Sequence, residues 1–179
     1  GRPARVHVKV DTGMGRLGLL PDEVAPLMRK VVDLPGLEVE GLFTHFAAAD
    51  AADLAYTREQ LAAFEGVLAE LRGEGLLPPI VHAANSAAAL RLPESRYDLV
   101  RPGIALYGLD PSDDAPCPVG FRPALAFKCQ VAQVKALPAG ASVGYGCTYR
   151  TPYPSRIAVI PVGYADGFRR APAHWGEVL

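Results

Sequence analysis

Hydrophobic and polar residues alternate at the start of the chain, and the alternation then gives way to helical spacing. Between residues 5 and 11, three valines occupy every second position, with His7, Lys9 and Asp11 between them. This two-residue period, built on β-branched side chains, predicts a strand. A glycine-rich loop follows, and residues 22–33 then place apolar side chains three and four positions apart, which predicts an amphipathic helix.

The same order of strand and helix recurs in the next segment. Residues 37–46 are predicted to form a strand. The helix after it is expected to begin with a capping box of Thr57 and Gln60 and to end at Gly73 and Gly75. Its predicted apolar stripe comprises Leu61, Phe64, Leu68 and Leu71.

Two shorter units complete this part of the chain, with predicted strands over residues 80–83 and 98–101 and a short alanine-rich helix between them. Strands that alternate with helices favour a parallel sheet with crossover connections. Four units cover about 110 residues, whereas a closed eight-fold barrel needs about 250. The pattern therefore fits either a small open sheet or half a barrel. The polar residues that follow the strands, where such folds build their sites, are Arg16, His45, Ser86 and Gly103.

The composition changes after residue 110. Residues 111–123 contain four prolines and no helical period, which predicts a linker. Beyond it the chain is predicted to be all-β, with strands over residues 127–131 and 157–162.

Composition and charge narrow the class of protein. The chain has 179 residues, of which 50% are hydrophobic and 21% charged, and its net charge is -1. This balance is typical of a globular protein and offers no basic surplus for nucleic acid or an anionic membrane. No apolar run approaches the roughly 20 residues needed to span a bilayer. The three cysteines lack metal-ligand spacing, so we expect free thiols in a reducing cytoplasm and no metal site.

Six segments together carry a family resemblance. In their order and spacing they are similar to the alanine racemase family. Pro102, after the arginine of the fourth segment, departs from the residue expected there, but a proline can still continue the loop. The segments are His7–Arg16, Thr44–Phe46, His82–Ser86, Arg101–Gly108, Val143–Tyr149 and Gly163–Gly167.

The resemblance implies an α/β plus β fold: the second half of a (β/α)8 TIM barrel over residues 1–110, a linker over 111–123, and the first part of a C-terminal β domain over 124–179. It implies an isomerase that binds pyridoxal 5'-phosphate and interconverts L-alanine and D-alanine through a cofactor aldimine. It also implies a cytoplasmic homodimer whose site is shared between subunits. The D-alanine would supply bacterial peptidoglycan.

Racemisation needs two acid–bases, one on each face of the substrate. In the family, one is the lysine that carries the cofactor, and none of the four lysines of this chain matches its motif. The resemblance assigns the other role to Tyr145. Since a free phenol has a pKa of about 10, it needs neighbouring donors or positive charge. The family provides these through residues that match His45, Arg101 and His82. From the residue type alone, a strand aromatic that covers the core is the favoured interpretation of Tyr145, and the flanking Gly144 and Gly146 reverse that preference.

Cofactor binding is implied for several residues of the barrel half. Arg101 would face the pyridine nitrogen and, because a guanidinium does not give up its proton, would keep that nitrogen unprotonated. Phosphate contacts would come from the Ser86 hydroxyl and from the backbone N–H groups of Gly103 and Ile104, although Ser86 could also serve as a helix cap. The complete implied set is His45, His82, Asn85, Ser86, Arg101, Gly103 and Ile104.

Substrate contacts are implied at two positions. Arg16 would bind the carboxylate of the amino acid through charge-assisted hydrogen bonds. Tyr164 would narrow access to small amino acids, although the segment around it also fits a purely structural turn. Lys9 is a candidate for carbamylation, with an unmodified, paired lysine as the alternative.

Three other interpretations stay open on sequence. A broad-specificity racemase of the same fold would carry the same motifs. A decarboxylase of this fold is disfavoured, because it usually places an acidic residue where Arg101 lies. The third is a catalytically inert fragment. Because the cofactor lysine is absent, we expect the isolated 179-residue chain to show neither racemase activity nor aldimine absorbance.

Overall fold

The computed structural model describes residues 1–168 and divides the chain into two compact units, Gly1–Leu125 and Ala126–Leu179. The first unit is built on three strands, β1 (Ala4–Lys9), β2 (Leu37–Phe43) and β3 (Ile80–His82). They pair in the order β1-β2-β3, and both pairs are parallel. The expected parallel sheet is therefore confirmed.

Two helices make the crossovers between these strands. Helix α1 (Pro21–Val31) joins β1 to β2, and α2 (Ala55–Gly73) joins β2 to β3. Apolar residues at helical spacing turn one face of each helix towards the sheet, where Leu42 of β2 is fully buried. The predicted stripe of α2 is confirmed, with Phe64, Leu68 and Leu71 in the core and Leu61 partly buried against it.

The predicted capping box of α2 is wrong. The helix begins at Ala55, two residues earlier, and the Asp53 carboxylate accepts the Ala55 N–H at 2.8 Å. An acidic side chain ahead of the helix therefore satisfies one of its free backbone donors. Thr57 and Gln60 lie inside the helix and are buried, so their side chains are directed to the interior and not to the helix terminus.

The strand predicted over residues 98–101 is also wrong. Asp98 N–H donates to Val81 O at 3.0 Å and Arg101 N–H to Ala84 O at 2.9 Å, but no ladder forms. The Val81 N–H is taken by the Asp98 carboxylate at 2.8 Å, so the backbone carbonyl that would continue the ladder is replaced by a side chain. The segment nevertheless runs beside β3 and brings Arg101 to the end of that strand.

The connection that follows has little regular structure. Ile104–Tyr107 form a short 3₁₀ helix, and residues 111–123 contain neither helix nor strand beyond an isolated bridge between Ser112 and Ala115. Ala115 is fully buried in the core of the first unit, and the Ser112 hydroxyl donates to Asp50 O. Part of this proline-rich segment therefore packs into the first unit, to which residues 111–123 belong.

In its described part, residues 126–168, the second unit consists of short antiparallel ladders. Strand β4 (Gln133–Leu137) pairs with β7 (Ser155–Val159), and β5 (Ser142–Val143) pairs with β6 (Tyr149–Arg150). The strand predicted over residues 157–162 is confirmed in part: β7 starts two residues earlier, at Ser155, and ends three residues earlier, at Val159. The strand predicted over 127–131 is wrong, because among residues 1–168 no segment pairs with it: the ladder with β7 begins only at Ala132 N–H, which donates to Val159 O at 2.8 Å.

No helix within residues 1–168 combines the length and the apolar character needed to cross a membrane.

Candidate active site

The carboxyl ends of the parallel strands lie along one edge of the sheet and supply most of the candidate residues. Strand β1 ends at Lys9 and leads into the glycine-rich loop, β2 ends at Phe43 and leads into Thr44 and His45, and β3 ends at His82. Parallel pairing places these termini side by side, with Phe43 in register with His82. The sequence order of strand and helix therefore brings residues more than 70 positions apart to one place.

Arg101 is the centre of this edge. One guanidinium nitrogen lies within hydrogen-bond distance of His82 Nδ1. The other, Nη2, donates to Thr44 O at 2.7 Å and to Ala83 O at 3.2 Å, and it lies 3.3 Å from His45 Nδ1. The guanidinium carbon also lies 5.2 Å above the centre of the Phe43 ring, a cation–π distance. Burial lowers the pKa of Arg101, but a guanidinium stays charged in a folded protein.

Both histidines that contact Arg101 are held in the neutral state. His82 is 5% exposed and stacks on Phe43, with ring centres 4.8 Å apart. Burial, followed by the charges of Arg101 and His7, lowers the pKa of His82 to about 4. Burial also lowers the pKa of His45, and the positive charges of Arg101, Arg16 and Lys9 add to that effect. Neutral rings present lone pairs, which is what a donor-only guanidinium requires.

We expect acid to destabilise the first unit through His82. An unfolded histidine binds its proton near pH 6.5, whereas the folded ring stays neutral down to about pH 4. Within this window the unfolded chain binds more protons, so the free energy of unfolding falls as the pH is lowered, by about 3 kcal/mol across the whole window. Thermal unfolding midpoints recorded between about pH 7 and about pH 4.5 measure the effect. In His82→Asn, which cannot titrate there, the dependence should be shallower, and an equal dependence would contradict the assignment.

Ser86 binds the backbone of the turn that follows Arg101. Helix α3 (Ser86–Arg91) begins there, and Ser86 Oγ accepts Gly103 N–H at 2.8 Å and Ala105 N–H at 3.3 Å. Both hydrogen bonds of Ser86 Oγ within residues 1–168 are accepted ones, so its own proton is not used in them. The helix cap is Asn85, whose side chain accepts Ala88 N–H at 3.0 Å, so capping by Ser86 is wrong. Asn85 Nδ2 also donates to Phe46 O at 3.3 Å.

A cavity of about 380 Å³ opens over this edge of the sheet. All the residues of the implied cofactor set line it except His82, which lies behind Arg101. Those that line it are His45, Asn85, Ser86, Arg101, Gly103 and Ile104.

The glycine-rich loop after β1 carries the other two candidates of this unit. Asp11 Oδ1 accepts the N–H groups of Gly13 and Gly15, each at 3.0 Å, and the Lys9 ammonium donates to Leu17 O. Arg16 is exposed and has no hydrogen-bond or ion-pair partner in the described part of the chain. Burial lowers the pKa of Lys9; the charges of Arg16 and Arg101 add to this, and Asp11 opposes it.

Tyr145 and Tyr164 lie in the second unit. Tyr145 is 92% exposed at the start of a 3₁₀ turn. Both flanking residues, Gly144 and Gly146, have positive φ values, of 78° and 76°, which favour glycine strongly. Tyr164 is 71% exposed and begins a turn in which Asp166 Oδ2 accepts Gly163 N–H at 2.9 Å.

Sequence reasoning missed a buried polar cluster under the loops. Gln60 of α2 is 1% exposed, and its Oε1 accepts Ala47 N–H at 2.9 Å, two residues after His45. Its Nε2 donates to His45 O and to Thr12 Oγ1, each at 3.4 Å, and Thr12 in turn bonds to Thr44 at 2.7 Å between hydroxyl oxygens. A glutamine on the apolar face of a predicted helix is the sequence signal that could have revealed it.

No group of three or more histidine, cysteine or acidic side chains within residues 1–168 could hold a metal ion.

Comparison with known proteins assigns the family. The family model of the alanine racemase N-terminal domain matches residues 1–111, and that of the C-terminal domain matches residues 124–179. The chain is 52% identical over 179 residues to the alanine racemase of Symbiobacterium thermophilum and 47% identical over 179 residues to that of Desulfovibrio desulfuricans. Each alignment covers 100% of this chain and 48% of the relative.

Solved structures support the same family assignment. The alanine racemase of Streptomyces lavendulae superposes with a TM-score of 0.83 at 42% identity, and that of Streptomyces coelicolor with 0.82 at 39%. Both cover 94% of this chain and 46% of the solved chain. The chain therefore belongs to the alanine racemase family, and it spans about half the length of the relatives it matches. Its parallel unit is the second half of a (β/α)8 barrel, which decides against a small open sheet.

Proposed function

We propose that the full-length protein that contains this chain interconverts L-alanine and D-alanine, with pyridoxal 5'-phosphate bound in the cavity over the strand ends. The observation that carries the proposal is the convergence of Arg101, His45, Ser86 and the Gly103–Ile104 turn on that cavity. Family membership supports it, since every relative named above is an alanine racemase.

The donors of the cavity fit the chemistry of this cofactor. Its phosphate is an anion, and the Ser86 hydroxyl, which accepts both of its hydrogen bonds in the described part of the chain, can donate its proton beside the Gly103–Ile104 turn. Its pyridine nitrogen is an acceptor when unprotonated, and Arg101 can only donate. When bound, pyridoxal phosphate withdraws electrons from the α-carbon of the amino acid, which makes the α-proton removable. The protein supplies orientation and the acid–bases.

The remaining roles concern the substrate and its proton. Tyr145 is proposed as the acid–base on one face of the amino acid, and its exposure in this chain suits a residue that serves a partner subunit in a homodimer. A cofactor-bearing lysine outside this chain would serve the other face. Arg16, which has a free guanidinium in the described part of the chain, is proposed to bind the carboxylate, and Tyr164 to restrict access to small side chains.

Two further assignments complete the proposal. Lys9 is a candidate for carbamylation, because its lowered pKa increases the fraction of neutral amine, the form that reacts with carbon dioxide. We also propose a cytoplasmic enzyme that supplies D-alanine to peptidoglycan.

The direct test is chiral analysis of alanine after incubation of the full-length protein with pyridoxal phosphate and L-alanine. We expect equal amounts of both enantiomers at equilibrium. Longer amino acids, such as lysine and arginine, should react far more slowly if Tyr164 restricts access. Comparable rates for them would favour a broad-specificity racemase, and no change in any amino acid would reject the proposal. Ser86→Ala should weaken cofactor binding, measured by fluorescence titration, and Ser95→Ala, a buried serine outside the cavity, is the control.

A further inference from the structure

The hydrogen-bonded chain that begins at Arg101 does not stop at His82. On the far side of that ring, His82 Nε2 lies 2.8 Å from His7 Nδ1, and the two ring centres are 5.0 Å apart. His7 Nε2 in turn lies 3.5 Å from a carboxylate oxygen of Glu40, whose other oxygen contacts the Arg5 guanidinium. Four side chains thus form a line from the cavity to the middle of strands β1 and β2: Arg101, His82, His7 and Glu40.

The chemistry of arginine fixes the proton positions along this line. Because a guanidinium has no acceptor, His82 Nδ1 must be unprotonated, and the proton of the neutral ring lies on Nε2. That N–H donates to His7, so His7 Nδ1 must also be unprotonated, and its proton lies on Nε2. This second N–H faces the Glu40 carboxylate, whose Oε2 lies 3.5 Å from His7 Nε2, an electrostatic contact longer than a normal hydrogen bond. Only one arrangement of protons satisfies every contact, and adding a proton to either ring would set two N–H groups against each other.

The backbone is shaped to create this contact. In the register of β1 with β2, Val6 pairs with Val39 but His7 pairs with Gly41, so Glu40 is an extra residue, a β-bulge. The bulge lies beside His7, and Glu40 is the residue that supplies the carboxylate. At Gly41, an added Cβ would lie 2.3 Å from His7 Nδ1, so this glycine leaves room for the ring.

We propose that His7 and Glu40 are positioning residues: they hold His82 as the Nε2–H tautomer, so that its Nδ1 lone pair fixes the orientation of the Arg101 guanidinium at the cavity. The orientation of Arg101 stands on the geometry alone, whereas its effect on turnover rests on the proposed function. Neither residue touches the cavity. They act only through His82.

The tautomer is tested by ¹⁵N NMR of the full-length protein labelled with [¹⁵N]histidine, with His82→Asn used to assign the His82 signals. We expect a pyridine-type Nδ1 and a pyrrole-type Nε2 for His82. A cationic ring or the opposite tautomer would overturn the proposal. This measurement needs neither a variant of His7 nor any enzymatic activity.

Three variants test the positioning role. His7→Phe removes the acceptor but fills the space, and it should turn His82 into a mixture of tautomers. By analogy with the partners that orient metal-bound histidines, kcat should fall about tenfold or more, with KM little changed. His7→Asn keeps an acceptor oxygen near the Nδ1 position and should restore most of the tautomer and the rate. Glu40→Gln should have an intermediate effect on both. Glu38→Gln, an exposed residue of the same strand, is the matched control.

The outcomes separate the two proposals. If His7→Phe leaves both the His82 tautomer and kcat unchanged, or if His7→Asn is no better than His7→Phe, the positioning role is rejected. If the full-length protein does not racemise alanine while the tautomers respond as expected, the proposed function fails and the positioning of Arg101 by His7 and Glu40 stands.

Discussion

Replacing Tyr145 by phenylalanine is expected to lower kcat/KM for alanine racemisation by about 10²–10⁴-fold, the usual contribution of a general acid–base. The change removes one hydroxyl from a side chain that is 92% exposed and that packs little in the described chain. The fold should therefore be unaffected. The loss should be uneven between the two faces of the substrate, because Tyr145 is proposed to serve only one of them.

Exchange of the α-proton with deuterium measures this asymmetry. Starting from each enantiomer in turn, we expect exchange to persist for the enantiomer whose proton the other base removes and to be lost for its mirror image. Tyr149→Phe, an exposed tyrosine of the same unit, is the control and should behave as the wild type. An equal loss of exchange from both enantiomers would contradict the assignment of Tyr145 to one face.

Replacing Arg101 by leucine is expected to cause the largest loss of stability of any single change in the site. It would leave Thr44 O, Ala83 O and His82 Nδ1 without the donor they have now. Each buried acceptor left unsatisfied costs about 1–3 kcal/mol, so the total should reach several kcal/mol. Thermal or urea unfolding of the full-length protein measures it.

Arg101→Lys separates charge from geometry. An ammonium keeps the positive charge but cannot extend a planar fork to His82 on one side and to two carbonyls on the other. We expect this variant to fold, with a smaller loss of stability than Arg101→Leu and a clear fall in kcat. Arg96→Lys, an exposed arginine that makes one backbone contact, is the control. A lysine variant with wild-type stability and rate would show that charge alone suffices at this position.

The contrast between Asn85 and Ser86 shows how far local patterns reach. The sequence predicts a short helix near them, and the helix exists, but either residue is a good cap by type. Which of the two residues caps the helix depends on the turn after Arg101, where two backbone N–H groups donate to the Ser86 hydroxyl oxygen. The two donors, Gly103 and Ala105, lie 17 and 19 residues from Ser86 in the sequence, so no local rule could assign these hydrogen bonds.

The two strands that were predicted wrongly also depended on partners that are distant in the sequence. Residues 98–101 and 127–131 have strand-like composition, yet a strand exists only where a neighbour offers a free ladder of donors and acceptors. Beside β3 the Asp98 side chain takes the donor that a backbone carbonyl would need.

The sequence by itself determined the alternation of strands and helices, the apolar face of α2, and the family, because hydrophobic period and motif order are local properties of the chain. The local setting of Tyr145 belongs to this group: its flanking glycines are readable in sequence, and the structure adds their positive φ. The line from Arg101 through His82 and His7 to Glu40 belongs to the other group. Its contacts join side chains up to 75 residues apart. It depends on the register of β1 with β2 and on the bulge at Glu40. It also depends on which nitrogen of the His82 ring faces Arg101, whose guanidinium can only donate. Only the tertiary structure decided these, since hydrogen-bond partners across a sheet are set by packing and leave no period in the sequence.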